Sequence, residues 1–378
     1  MKALLVANFA PDRQESMLRF ARILSEGLPA HGVTTEVIAP EPVLMRPLEW
    51  RYDGWRKYVG YIDKFALFPS RLRRAAARAD VVHILDHGNS AYLTASAGRP
   101  ALVTCHDLIQ IRAARGELAR RRPAWSGRRF QQWISRHLRD APHVACVSEK
   151  TRGDLLRLVP RPAARTHLVY NGLNHPYAPM PRAEAELRIK LLTAGAAPPE
   201  YYLNVGGSQW YKNRPGLLRI FSAMCGSLPG STCLVMVGKP LSDSDQRLAR
   251  ELGLEGRIRH FGGVSNEALA ALYSLARGLI FPSWEEGFGW PVAEAQACGC
   301  LAFTSDRAPL TEVGGEAAVY FDPAEPRQAA ERILAARAIE PQLRAQGLRH
   351  AARWNSQRML QDYATLYHRM THENPPHH

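Results

Sequence analysis

The chain alternates short apolar runs with longer segments of helical period. In the first half, runs of strand length fall at Lys2–Phe9, Val33–Pro40, Val81–Asp86, Ala101–Asp107, His143–Ser148 and Thr166–Gly172. In the second half they fall at Tyr201–Gly207, Thr232–Gly238, Arg257–Gly263, Gly278–Ser283, Cys300–Ser305 and Ala317–Asp322. Segments such as Met17–Leu28, Arg214–Leu228 and Pro291–Cys298 carry helical periodicity between them. Strands that alternate with helices predict an α/β protein with parallel, doubly wound sheets. Their nearly continuous apolar character predicts strands covered on both faces. The stretch Leu173–Glu200 holds five prolines and separates the two sets, as an interdomain linker would. The expected domains are residues 1–175 and 176–353, with an aromatic-bearing helix, Trp354–Met370, returning to brace the first. Two such sheets place a ligand at the carboxyl ends of their strands, in the cleft between them.

Composition narrows the class. At 378 residues the chain exceeds one ordinary core. With 46% hydrophobic and 22% charged residues it is globular rather than disordered. No apolar run approaches the roughly 20 residues that span a bilayer. Asn8, Pro11 and Asp12 interrupt the first apolar run, so it reads as a strand rather than a leader. The six cysteines include no C-x-x-C pair, which argues against a zinc site or disulfide framework and fits a cytoplasmic location. A net charge of +14 favours anionic partners without choosing among them.

The richest segment follows the run at Gly278–Ser283. Gly287 and Gly289 allow close backbone approach in a loop, and Pro291 suits the start of a helix whose N-terminus attracts anions. Glu294 is expected in the first turn and Glu286 at the loop entry. Each alone also reads as an ordinary surface or helix-end carboxylate. Together, Glu286 and Glu294 with seven residues between them, Gly287-Phe288-Gly289, and the flanking Phe281-Pro282-Ser283 resemble the retaining glycosyltransferases of family 4. That resemblance implies the GT-B fold: two doubly wound Rossmann-like domains facing across a cleft. It implies that Glu294 binds the donor ribose, that Glu286 holds the transferred sugar, and that the backbone of Phe288 and Gly289 contacts sugar and phosphate.

Other positions extend the resemblance. Gly206-Gly207 ends a strand, and Lys212-Asn213 then opens a helix where similar enzymes carry Gly-x-x-x-x-Arg-Lys-Asn. Lys212 is the expected diphosphate clamp, although a surface lysine and a capping Asn213 are the plain alternatives. Gly207 and Tyr211 occupy the family's arginine positions, leaving the second phosphate cation open, with Arg214 nearby. His106, followed by Asp107, matches the family histidine that faces the donor sugar; a buried histidine beside a turn-capping aspartate is the alternative. Ser148, Asn171, Gly238 and Val264 are further strand-end candidates, and Asp86-His87-Gly88 forms another such cluster. The first loop, Pro11–Ser16, lacks the family's paired glycines.

The resemblance implies a retaining, metal-independent enzyme without a cofactor. It would move a hexose, with a lean to mannose, from a nucleoside diphosphate sugar to a glycan or lipid-linked acceptor in cell-surface polysaccharide or glycolipid synthesis. The basic segments Arg112–Arg139, with nine arginines against one acid, and Arg51–Arg78 carry interleaved aromatics. They predict peripheral contact with an anionic membrane at its cytoplasmic face, unless they are solvated faces over a packed stripe. A nucleotide-sugar epimerase or phosphorylase of the same fold is the first rival. A nucleic-acid-binding protein is the second, but no helix-turn-helix, zinc or RNA-binding signature supports it and no nucleic acid is expected.

Overall fold

The computed structural model describes residues 1–46, 54, 56–120, 122–193, 198 and 200–373. Two compact units divide the chain: Met1–Asn174 with Ser356–His378, and His175–Asn355.

In the first unit, six parallel strands run in the order β2-β1-β3-β4-β5-β6. They are β1 (Lys2–Val6), β2 (Thr34–Ile38), β3 (Val81–Ile84), β4 (Ala101–Cys105), β5 (His143–Cys146) and β6 (Thr166–Leu168). The central strands β3, β4 and β5 are buried throughout, as their apolar runs require. Helix Ser356–Glu373 packs on this unit through a buried polar chain. His83 Nδ1 meets Tyr367 Oη at 2.6 Å, His83 Nε2 meets Thr104 Oγ1 at 2.7 Å, and Thr104 Oγ1 meets Tyr363 Oη at 3.1 Å. Another helix runs from Arg56 to Ala76 and is interrupted by a π turn at Asp63–Leu67. The turn buries Asp63, whose carboxylate accepts the N–H groups of Leu44 (2.9 Å) and Met45 (3.0 Å).

The second unit repeats the scheme with the order β12-β11-β10-β7-β8-β9. Its strands are β7 (Tyr201–Gly206), β8 (Cys233–Gly238), β9 (Ile258–Phe261), β10 (Gly278–Phe281), β11 (Ala302–Ser305) and β12 (Ala318–Phe321). All twelve expected strands form, most of them shorter at the carboxyl end than the apolar runs suggest. The residues beyond each end turn into loops and caps: Phe9 leads into the turn Ala10–Asp12, and Ser148 caps a helix instead of extending β5. Those strand ends are where the site residues lie.

Candidate active site

In the second unit the strand order reverses between β7 and β10, which makes the crevice beyond their carboxyl ends the switch point where ligands of such sheets bind. β7 gives way at Gly206-Gly207 to a single turn, Trp210–Lys212. Asn213 then adopts the left-handed conformation, φ 53°, which asparagine tolerates better than most residues. Its Oδ1 accepts the Gly216 N–H at 3.2 Å, capping helix Arg214–Met224, while its Nδ2 donates to Pro282 O (3.0 Å) and Pro323 O (3.4 Å). Asn213 therefore stitches three loops together. Beside this bend, Lys212 reaches the loop after β10, where its Nζ lies 2.7 Å from Glu286 Oε1 and 5.1 Å from the centre of the Phe281 ring. A further tie joins the two loops: Trp284 N donates to Tyr211 O at 2.7 Å. The Lys212 and Glu286 side chains are only 18% and 9% exposed, so their attraction is less screened than at a surface.

Gly289, at φ 101°, sits at the N-terminal end of helix Trp290–Ala297 in a conformation that favours glycine. The helix begins one residue earlier than expected, with Pro291 in its second position, so Glu294 lies in the second turn and not the first. That placement removes the helix-end explanation for this carboxylate. Glu294 is buried, and its Oε2 accepts a hydrogen bond from Tyr273 Oη at 2.9 Å. Phe288 is buried edge-on against Trp354 at 5.3 Å, which fixes the Gly287–Gly289 backbone from below. Gly238 lies opposite Gly206 in the ladder, and a Cβ there would strike the Gly206 carbonyl oxygen, so packing alone demands glycine. Val264 is half-buried beyond β9. The Arg214 guanidinium is buried and donates to Pro240 O (2.7 Å), Lys239 O (2.5 Å) and Gly206 O (3.4 Å). It clamps strand-end carbonyls and is not held out toward a ligand.

In the first unit the order reverses between β1 and β3. Asp86, after β3, accepts Asn8 Nδ2 at 2.6 Å and the Gly88 N–H at 2.8 Å. Burial pushes its carboxyl upward, but neighbouring His87 and His106 and these two bonds bring it below the ordinary range, so it stays ionised. His106 donates from Nε2 to Leu85 O at 2.8 Å and meets the Phe20 ring edge-on at 4.9 Å. Burial lowers its pKa, which keeps the ring neutral and leaves the lone pair on Nδ1. Asp107 accepts the Ile109 N–H at 3.0 Å, and Ser148 caps helix Glu149–Leu158 through the Thr151 N–H at 3.1 Å. Both have structural employment. Asn171 is buried and its Oδ1 has no hydrogen-bond partner among the described residues. The first loop is held by Lys64 Nζ, raised from the π turn to 2.7 Å from Asp12 Oδ2. A side-chain latch thus stands where the family pattern has glycines.

Two family descriptions cover most of the chain: Glycosyltransferase Family 4 over residues 17–175 and Glycosyl transferases group 1 over residues 194–354. The chain is 30% identical over 264 residues to the O-antigen chain mannosyltransferase B of Escherichia coli, covering 69% of this chain and 67% of that protein. The chain belongs to glycosyltransferase family 4. The WbdA and RfbU mannosyltransferases are longer or less fully matched relatives, aligned over 20–50% of their own length. Among solved structures, Anabaena Alr3699/HepE in complex with UDP and glucose shares the fold at TM-score 0.75 and 16% identity, over 98% of this chain and 100% of that one. WaaG, a glycosyltransferase involved in lipopolysaccharide biosynthesis, does so at TM-score 0.72 and 14% identity, over 97% and 99%. The transferase therefore has the GT-B architecture.

The basic segments of the transferase divide by depth. Phe68 and Ile134 are buried, and Phe65, Phe130 and Trp133 pack against the first unit's core. Tyr58 and Trp125 are 64% and 67% exposed, with the Arg129 guanidinium 5.4 Å from the Trp125 ring centre. Arg51 and Trp55 lie outside the described residues. Sequence reasoning missed Tyr273, Lys64 and Asp12. Tyr273 stands at core spacing in an apolar helix, and nothing local distinguishes it from a packing residue.

Proposed function

We propose that this transferase moves mannose, with retention of configuration, from a nucleoside diphosphate sugar onto a growing cell-surface polysaccharide acceptor. The Lys212–Glu286 contact at a sheet switch point, with the buried Glu294 on the following helix, is the observation that carries this reading. On binding, Lys212 turns to the diphosphate and Glu286 to the sugar hydroxyls, while Glu294 receives the ribose. In the first unit, the neutral His106 offers its Nδ1 to a substrate hydroxyl. The leaving diphosphate accepts the acceptor hydroxyl's proton on the same face, so the new bond keeps the donor's configuration. Positioning and charge at the diphosphate lower the barrier. Lys212 supplies that charge, and the reaction proceeds without metal or cofactor.

Relatives named O-antigen chain mannosyltransferases support mannose as the sugar. In this reading the exposed Tyr58 and Trp125 and the arginines around them rest on an anionic membrane at its cytoplasmic face. No helix among the described residues is long and apolar enough to cross a membrane. Turnover assays with GDP-mannose, UDP-glucose and their base-swapped counterparts, in EDTA, test the reading. An α-linked mannosyl product from an α-linked donor, by NMR, supports it. A β-linked product refutes retention, activity restored only by added metal refutes metal independence, and transfer of glucose alone refutes the mannose assignment.

A further inference from the structure

The Tyr273–Glu294 bond joins two side chains that are both removed from water. Tyr273 has no exposure and Glu294 has 3%. An anion buried this deeply needs donors, and the phenol supplies one at 2.9 Å. The phenol cannot fail in that role near neutral pH. Burial first, and then the adjacent Glu294 charge, push its pKa well above the ordinary tyrosine value. Tyr273 is itself fixed: its ring meets Tyr177 edge-on at 6.1 Å, and its helix, Asn266–Leu275, is capped by Ser265 Oγ on the Ala268 N–H.

A glutamate carboxylate turns easily about its last bond, because that torsion has a broad, two-fold profile. Recognition of a vicinal diol needs the carboxylate plane to match two O–H vectors at once, so the last torsion decides the fit. A donor anchored on a different helix and bonded to Oε2 sets that plane. We propose that Tyr273 is a positioning residue that fixes the Glu294 carboxylate for the two hydroxyls of the donor ribose. The proposal rests on the reading of Glu294 as the ribose ligand.

The test measures how much tighter GDP binds than 2′-deoxy-GDP, by calorimetry, on wild type, Tyr273→Phe, Glu294→Gln and the double variant. This ratio reports diol recognition in folded protein, and a purely structural role for Tyr273 leaves it unmoved. Tyr273→Phe should reduce the ratio by about 10-fold, the size of one hydrogen bond to a charged group. It should also raise donor KM more than it lowers kcat. In the double variant the ratio should match that of Glu294→Gln alone, because the tyrosine acts only through the carboxylate. If Glu294→Gln loses the ratio and Tyr273→Phe keeps it, the positioning role falls while the ribose reading stands. If Glu294→Gln keeps it, both fall. Should Tyr273→Phe not fold, Tyr273→His restores a buried donor, and recovery of the ratio with it supports the role while failure in a folded Tyr273→His overturns it.

Discussion

Lys212 Nζ and Glu286 Oε1 lie 2.7 Å apart across the mouth of the second sheet, although 74 residues separate them in sequence. The pair neutralises itself in the unliganded protein, and a donor with a diphosphate and a sugar offers each member a new partner. Removing either side chain leaves a partly buried charge alone. Lys212→Ala should therefore reduce kcat by about 10²–10³-fold, the usual size of a lost transition-state charge contact. In urea unfolding without ligand, Lys212→Ala should destabilise the Glu286 protein more than it destabilises Glu286→Gln, with a coupling of about 0.5–3 kcal/mol. Additive stabilities would remove the pair from the energetics.

Glu294 binds nucleotide in this reading, and its removal should abolish ligand-dependent stabilisation. A nucleotide at 100 times its Kd adds about 2.7 kcal/mol to the wild type. The added stability, and with it the upward shift in Tm, should vanish in Glu294→Gln. Glu294→Ala is a poorer probe, because it strands the Tyr273 hydroxyl in the core at about 1–3 kcal/mol. A Glu294→Gln protein that still shows the full nucleotide shift contradicts the ribose role.

Arg214 separates structural from catalytic cations. Its two terminal nitrogens donate to the carbonyls of Pro240, Lys239 and Gly206, at the end of β7 and beyond β8. Arg214→Ala should cost on the order of 3 kcal/mol in unfolding free energy, since buried carbonyls lose a charged donor. Activity per folded molecule should change only a few-fold. A loss of kcat like that of Lys212→Ala, in a protein of wild-type stability, would instead make Arg214 a phosphate ligand.

How much of this was readable beforehand depended on range. Central parallel strands such as β3, β4 and β5 are buried on both faces and write themselves as apolar runs, and the half-exposed edge strands β2 and β9 were placed by their alternation with helical segments. Their ends were overrun because strand and following loop are both apolar around Phe9 and Val147. The loop bearing Glu286, Gly287 and Gly289 was legible because its chemistry is local. Contacts such as Lys212–Glu286, Tyr273–Glu294 and Lys64–Asp12 were not, since no periodicity links residues on different elements. The carbonyl contacts of Arg214 were hidden for the same reason: two of its partners, Lys239 and Pro240, lie more than twenty residues downstream. The π turn that lifts Lys64 breaks helical spacing at a place where the sequence shows ordinary helix formers.

Membrane contact predicts a graded loss. In flotation with vesicles containing phosphatidylglycerol, wild type should rise with the lipid, and Tyr58→Ala with Trp125→Ala should rise several-fold less. Raised salt should weaken the remainder, because the arginines act through screened charge. Wild-type protein that never floats excludes the membrane role and leaves transferase activity untouched.

Acid stability should report on His83. The ring is fully buried between Thr104 and Tyr367, and burial, followed by repulsion from His106 once that ring is itself protonated in acid, lowers its pKa to about 3. The unfolded chain binds that proton near the ordinary histidine value of about 6.5, so the unfolded state gains protons first as pH falls. The stabilising contribution is therefore complete above about pH 6.5 and declines by about 1.4 kcal/mol per pH unit on the way down toward 3. His106 and His143 are shifted in the same direction, and His167 is lowered to about 4, so the whole protein should lose stability more steeply than one group requires. The difference between wild type and His83→Gln isolates the one ring. Urea unfolding at pH 7 and pH 5 should show the variant already weakened at pH 7, because its bonds to Thr104 and Tyr367 are disturbed, but with a pH slope smaller than wild type by about one proton's worth. Equal slopes would mean that His83 takes up its proton inside the folded protein, and the polar chain holding helix Ser356–Glu373 would then have to accommodate a charge.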